Sequence, residues 1–412
     1  MTSVGADRTA DVVVVGAGAA GLAAATFAAA RSRRVLLLEK KPQPGLKILI
    51  SGGGRCNVTT TRSGSDLEQQ YGMVRGRFLR HALRAFPPVA VREWFLSLGV
   101  PLQEEDLEKL FPVSQKARDV LEALLRGARN AGAELITDCS VTEVRRSAAG
   151  FALTTNQGAI HASALVLATG GRSYTKTGTT GDGYRFCTEL GHTVTATFAA
   201  LAPLVVDAAW LRELQGIVVT TAEIAVLESS GKVIRTRRRP ILFTHHGLSG
   251  PAPMDLAGDI EERNGAFLRL DFAPDVAREE LDQQWLNMAR TLGRKRAEAL
   301  LPRELPERLR VALCELALVR DVTLAELTKD QRARLLTAVK DLRVRCDRSR
   351  GFEHAEVTRG GVSLDEISAS TMASKLVPNL FCCGELLDLD GPIGGFNFQS
   401  AFATGRLAGM SS

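Results

Sequence analysis

Four stretches hold residues whose types and spacing suit chemistry. The first is Gly16-x-Gly18-x-x-Gly21. In such a loop the first glycine makes a tight turn, the second lets the backbone approach a pyrophosphate, and the third lets a helix lie on the preceding strand. A carboxylate about 20 residues on would accept hydrogen bonds from a ribose, and Glu39 stands 23 residues after Gly16. The second is Ser51-Gly52-Gly53-Gly54-Arg55-Cys56-Asn57. Successive backbone N–H groups in such a run form a concave nest suited to a phosphate or the polar edge of a ring. The third, Ala168-Thr169-Gly170-Gly171, turns sharply where another backbone must approach. The fourth runs from Gly384-Glu385 through Asp388 to Gly394-Gly395-Phe396-Asn397. Its glycine pair opens a helix, whose N-terminal amides attract anionic groups.

These stretches need elements to position them. Residues 11–15 read as a buried parallel strand, with four valines suited to a pleat covered on both faces. Residues 19–30 are alanine-rich and predict a helix. A second strand at 35–38 ends in Glu39, with Lys40 and Lys41 after it. Strand, glycine turn, helix, strand and carboxylate together make a dinucleotide-binding βαβ unit. Residues 164–167 and 380–383 are further apolar strands, each running into a glycine turn. Residues 60–76 are polar and predict a surface loop. Helical spacing follows at 78–86 and 89–98, broken at Pro87-Pro88. Residues 101–111 predict an exposed hairpin, 117–131 an amphipathic helix, and 134–137 and 139–144 strands. From Pro203 the pattern changes. Residues 217–227 and 266–272 alternate as half-buried antiparallel strands, and 274–342 is helical with breaks at Pro302, Pro306 and Asp321.

The Ser51–Asn57 run, the Ala168–Gly171 element and the 241–251 stretch with Thr244, His245, Gly247, Ser249 and Pro251 occur in the order of one known group. The chain resembles the aminoacetone-oxidase-like and 3-dehydro-bile-acid Δ4,6-reductase-like FAD flavoproteins, a two-dinucleotide-binding-domain family. It departs from their pattern at Lys109-Leu110, Thr175, His246 and Phe396. The resemblance implies an α/β fold: a Rossmann-like FAD-binding domain with an inserted β-rich domain and a helical subdomain. The FAD domain would take 1–200 and 351–412, the β-rich insert 201–275 and 343–350, and the helical insert 276–342. It implies non-covalent FAD, with NADH or NADPH as transient electron donor, although no second glycine fingerprint marks a nicotinamide domain. FAD would contact Gly16, Gly18, Ala19, Ala20, Gly21, Glu39, Lys40, Lys47, Ser51, Gly52, Gly53, Gly54, Arg55, Cys56 and Asn57. Val141 would meet the adenine, and Ala168, Thr169, Gly170, Gly384, Glu385, Asp388, Gly394, Gly395, Phe396 and Asn397 would complete the site. Arg55 is a candidate to stabilise an anionic reduced ring, and His245 a candidate proton donor because His titrates near neutrality.

Composition narrows the classes. The 412 residues are 45% hydrophobic and 24% charged, which fits a globular chain of two or three domains. No run of 18 apolar residues predicts a membrane span, and the first ten residues lack an apolar signal core. Seven irregularly spaced cysteines predict free thiols and a cytoplasmic location. Cys382-Cys383 reads as strand packing rather than a redox pair. No metal is expected, because the six histidines have no ligand spacing. The net charge of +6 permits anionic ligands. However, the densest basic cluster, Arg235 with Arg237, Arg238 and Arg239, reads as a solvated face. The reading is therefore an FAD-dependent oxidoreductase acting on a small organic substrate by hydride transfer at flavin N5. Nucleic acid is not expected as a partner, and the oligomeric state is open. The alternative is a flavin-dependent RNA-modifying protein of tRNA-methyltransferase type, which would need a basic face and a cysteine such as Cys56. The 203–345 segment is expected to wall the substrate pocket, with the 244–251 loop nearest the ring. Cofactor released by mild denaturation is expected to run as FAD in chromatography; FMN would contradict the role given to Glu39.

Overall fold

The computed structural model describes residues 7–412. It divides into two units, Met1–Phe198 with Glu356–Ser412, and Ala199–Ala355.

The first unit is built on β1 (Arg8–Val15), followed by α1 (Ala19–Ala29) and β2 (Val35–Leu38). After α2 (Ala117–Ala131) come β3 (Glu134–Ile136), β4 (Val141–Ser147), β5 (Gly150–Thr155) and β6 (Gly158–Leu167). The unit closes with β7 (Leu380–Cys382) and α3 (Phe396–Ser411). The strands form one seven-stranded sheet in the order β3-β2-β1-β6-β5-β4, with β7 also on β6. β1 pairs in parallel with β2, Val12 to Val35 through Val15 to Leu38, and with β6, Val12 to Ala164 through Val15 to Leu167. On its edge away from β1, β6 is long enough to serve two partners. Its first half takes β5 antiparallel, and its second half takes β7 in parallel. The parallel ends of β1, β2, β6 and β7 therefore come together, which is where open α/β sheets bind ligands.

α1 is apolar all round because it is covered all round. The sheet lies on one side and α3 on another. A Cβ at Gly405 would overlap Ala20 O, and one at Gly409 would overlap Ala24 O. The two helix backbones are thus in direct contact, and only glycine at 405 and 409 permits it.

Two expectations for this unit change. Residues 60–76 are not a loop: Gly64–Gln70 is a helix, and Met73–Ala85 begins another. Leu67 and Glu68 are buried on the first, so its polar composition hid an inward face. The hairpin Leu102–Glu105 with Lys109–Pro112 is not exposed overall. It takes Thr59–Thr60 as a third strand and buries Leu102, Leu110 and Phe111.

In the second unit the alternating stretch 217–227 splits. Val218–Val219 joins a five-stranded sheet, and Glu223–Leu227 joins a four-stranded one. The period-2 pattern was real, but it crossed a chain turn. The expected strand near 266–272 is Ala266–Asp271. The helical stretch contains Arg278–Thr291, Glu307–Leu316 and Lys329–Lys340, the last opened by a Thr328–Gln331 capping box. Trp285, Leu309 and Leu313 are in its core. The arginine cluster is not a bare solvated face. Arg235 pairs with Asp259 (3.0 Å), Arg237 and Arg239 with Asp255 (3.3 and 3.4 Å), and Arg238 with Asp275.

Gly405→Val is expected to destabilise the protein by about 3 kcal/mol, as an overpacked helix contact does. Gly293→Ala, where a Cβ meets ordinary contacts at 3.4 Å or more, is expected to change stability by less than about 1 kcal/mol. Urea denaturation of both variants checks the contrast.

A candidate dinucleotide cleft

The cleft opens at the carboxyl ends of β1, β2 and β6 and includes Gly16, Gly18, Glu39, Ala168 and Thr169 among its walls. With its open mouth it encloses about 1500 Å³.

The three glycines have different reasons for being there. Gly16 has φ +103°, and a Cβ on it would stand 2.5 Å from Ala168 O. A Cβ on Gly21 would overlap Gly16 O. Gly18 is ordinary extended backbone, and a Cβ there would meet nothing within 4 Å. It faces space, and that space is where a pyrophosphate would lie over the N-terminus of α1. Glu39 is held at the end of β2 by two amides: Ala17 N donates to Oε2 (3.0 Å) and Lys41 N to Oε1 (2.9 Å). Lys40 Nζ reaches Asp182 (2.6 Å) and Thr180 Oγ1 (2.7 Å) on the same wall. Burial pushes the Asp182 carboxyl up, but the Lys40 hydrogen bond and charge outweigh it, and the net direction is down. Val141 lines this end.

The middle of the cleft carries a closed polar network. Lys47 Nζ donates to Glu385 Oε2 and to Ser173 Oγ, each at 2.6 Å. Ser173 Oγ donates to Glu385 Oε1 (2.8 Å), which also accepts from Thr358 N (3.0 Å). Thr169 Oγ1 is buried here without a partner among the described residues. An open glycine cradle, a fixed carboxylate and an orphan hydroxyl fit FAD, with Gly18, Ala19, Ala20, Glu39 and Thr169 as the residues that would hold it.

The 51–57 run is arranged differently. Gly52, Gly53 and Gly54 all have positive φ (55°, 69° and 84°), and the three are exposed. Of this run only Ser51 belongs to the cleft walls. Arg55 pairs with Glu105 (2.9 Å), bonds Gln115 (2.8 Å) and lies 4.1 Å over the Phe111 ring. Cys56 is buried, and burial pushes its thiol up to about 12. It is neutral and covered, so it is not a nucleophile. With the Asn57 amide turned to satisfy both its ends, its oxygen accepts from Gly395 N (2.8 Å). That amide is thereby taken and cannot meet a ring. Gly394, Gly395 and Phe396 sit behind the cleft, whereas Asn397 and Phe398 line it. Asp388 is held by Arg75 (2.7 Å), and Gly384 N donates to Thr404 Oγ1 (3.0 Å). Lys40, Lys47, Gly170 and Glu385 are on the walls; Gly21 and Gly384 pack beneath them.

His245 belongs to the second unit. It lies in the tight turn between strands Ile241–Thr244 and Gly247–Ser249, with its ring 3.8 Å from that of His246. Half of the 244–251 stretch is therefore strand, the rest turn and the start of a helix, and Leu248 is buried. Cys382 and Cys383 are also buried, and Cys187 Sγ lies 4.0 Å from Cys382 Sγ. Sequence reasoning missed Tyr174, Thr177, Thr179, Asp182 and Glu356 as cleft residues. The Gly178–Gly183 run was a signal for Thr179 and Asp182. Glu356 had none, because it enters after a long excursion of the chain. Among the described residues no helix is long and apolar enough to cross a membrane. None of their His, Cys, Asp or Glu residues form a group of three or more suited to a metal.

Comparison with known proteins agrees with this geometry. A family profile, the HI0933-like protein Rossmann domain, matches residues 10–411. The chain is 33% identical to the ribosomal RNA dihydrouridine synthase of Escherichia coli, over 96% of each chain. It is 30% identical to the 3-dehydro-bile acid delta(4,6)-reductase of Clostridium scindens, over 97% of this chain and 98% of that one. A solved 3-ketosteroid-delta4-(5alpha)-dehydrogenase from Rhodococcus jostii shares the fold, with TM-score 0.50 at 18% identity, over 100% of this chain and 98% of the other.

Gly18→Val is expected to yield protein without flavin, since the side chain would fill the open cradle. His245→Ala should keep its flavin within about twofold, because it leaves the first unit's glycine cradle and network untouched. Absorbance at the flavin band of each purified variant decides it. A yellow Gly18→Val protein would place the pyrophosphate elsewhere.

Proposed function

Because the chain belongs to the HI0933-like Rossmann-domain family and is an FAD-dependent oxidoreductase, we propose that it reduces a carbon–carbon double bond conjugated with a carbonyl. The proposed substrate is a uracil base of ribosomal RNA. The observation that carries this reading is a shared bond change. Two relatives that match over nearly the whole chain are named for different substrates. Dihydrouridine differs from uridine by two hydrogens across the ring double bond beside a carbonyl, and a Δ4,6 reduction of a 3-oxo steroid acts on the same grouping. A non-polymeric enone is the second reading, favoured by the bile acid relative alone.

Bound FAD would supply a hydride from its reduced ring nitrogen, with NADH or NADPH as the proposed source of electrons. The chain's own residues bind and orient. Gly18 and the first amides of α1 would take the pyrophosphate, and Glu39 the adenosine ribose. Lys47, held between Ser173 and Glu385, would fix the polar chain between pyrophosphate and ring. Arg55 already has its charge matched by Glu105, so we assign it to holding the 51–57 loop rather than to meeting charge. His245 is the proposed proton donor on residue type alone. A tRNA-methyltransferase-like reaction has no support from Cys56, whose thiol is buried and protonated. The proposed location is the cytoplasm, where free thiols and an RNA substrate occur together.

The test uses the flavin-loaded protein under anaerobic conditions with NADH or NADPH and ribosomal RNA lacking dihydrouridine. Nucleoside mass spectrometry is expected to show uridine gaining two hydrogens. Reduction of a 3-oxo-Δ4,6 steroid acid with no change in the RNA would select the second reading.

A further inference from the structure

We propose that the exposed face of the helix Met73–Ala85 is a docking stripe for the phosphate backbone of the RNA substrate. This rests on the RNA reading above. The helix carries Arg75, Arg77, Arg80, His81 and Arg84 and no acidic residue. Arg77, Arg80, His81 and Arg84 are exposed. Their spacing of three and four puts them on one face of the helix. The stripe from Arg77 to Arg84 is about 10 Å long at 1.5 Å per residue, long enough to meet more than one phosphate of a strand.

Its arginines are arranged rather than loose. Glu68, buried beneath, accepts from Arg80 (2.9 Å) and Arg84 (3.1 Å) and so aims their stems. That leaves two guanidinium groups over one carboxylate. Arg77 has no ion-pair or hydrogen-bond partner among the described residues. Past the end of the helix Arg406 donates to Ala85 O (3.4 Å), with its guanidinium 5.2 Å from the Phe27 and Phe86 rings. The planar forks of arginine suit phosphate oxygens. By contrast, the second unit's arginine cluster is occupied by Asp255, Asp259 and Asp275.

The helix that bears the stripe is also anchored beside the cleft. Arg75, half-buried on its opposite face, bonds Asp388 (2.7 Å) and Asp390 (3.2 Å). Leu389, between these carboxylates, is a cleft wall, as are Asn397 and Phe398 further on. Met73 and Val74 are the exposed apolar residues at this end, 82% and 73% accessible. A base can enter an active site only when taken out of its stack. The backbone that delivers it would then run along Arg77, Arg80 and Arg84, and Met73 and Val74 would offer apolar surface to an unstacked neighbour.

The probe is a fluorescein-labelled RNA hairpin of about 30 nucleotides, titrated with flavin-loaded protein at several salt concentrations. Arg77→Glu is expected to weaken binding by about tenfold at 50 mM salt and to lower the slope of log affinity against log salt by about one. Arg77→Lys should restore most of the affinity. Lys232→Glu, a charge reversal on an exposed turn of the second unit, should match the wild type. Flavin content is expected to be unchanged in all three variants. Unaltered affinity and slope in Arg77→Glu would overturn the proposal even if the wild type modifies ribosomal RNA. Wild-type protein that binds vesicles of anionic lipid but not the hairpin would overturn it too. Failure of the wild type to modify ribosomal RNA is read separately and concerns the proposed function.

Discussion

Backbone-to-backbone contact around α1 is the constraint on which the first unit depends. Gly21 sits against Gly16 O, Gly16 against Ala168 O, and Gly405 and Gly409 against Ala20 O and Ala24 O. No side chain fits at any of these places, so the strand, the turn, the helix, the β6 end and α3 are placed relative to one another by main-chain atoms. Such contacts have little slack, because interiors are close-packed and resist small shifts. The first turn of α1 therefore points at one place, and Gly18 is left over open space there. The same contacts fix the Ala168–Thr169 turn and the start of α3, which form two further walls.

Each lysine of the cleft is matched by a carboxylate. Lys40 is matched by Asp182, and Lys47 by Glu385 and Ser173. These pairs are partly shielded from water, with Lys47 and Glu385 25% and 18% exposed. Their main effect is geometric, since a partly buried pair gains little net stability over apolar packing. A diphosphate in this cleft would be received by helix amides rather than by an unpaired cation. The polar network is then free to hold the uncharged middle of a dinucleotide by hydrogen bonds. Arg55 follows the same rule, with Glu105, Gln115 and Phe111 around it.

What could be read from the sequence was what local chemistry dictates. Gly16, Gly18, Gly21, the β-branched run before them and Glu39 after them specify strand, turn and helix within 30 residues. The helix 117–131 was legible because its apolar face repeats at helical spacing. Other features depended on distant partners. Residues 60–76 looked like a loop because nothing local shows that Leu67 and Glu68 face inward. Residues 217–227 alternate throughout, yet they belong to two sheets, because period alone does not mark a turn. The arginines at 235–239 looked like the main basic surface until their aspartates, 16 to 37 residues away, were seen to fold back on them. The stripe at 77–84 was overlooked for the converse reason: its arginines are spread along the sequence and converge only on a helix. Asn57 taking Gly395 N was out of reach of any reading by spacing, since the two residues lie at opposite ends of the chain.

The central claim is that the main-chain contacts around α1 make the dinucleotide cradle before any ligand arrives. Amide hydrogen exchange on the flavin-free and FAD-loaded protein tests it most directly. The account predicts strong protection of α1 beyond Leu22 and of α3 near Gly405 in both forms, with added protection on loading confined to Gly18–Gly21, the Glu39–Lys41 turn and the Thr169–Gly170 turn. An α1 that exchanges freely without FAD and becomes protected only on loading would contradict it, because the cradle would then be made by the ligand rather than by the chain.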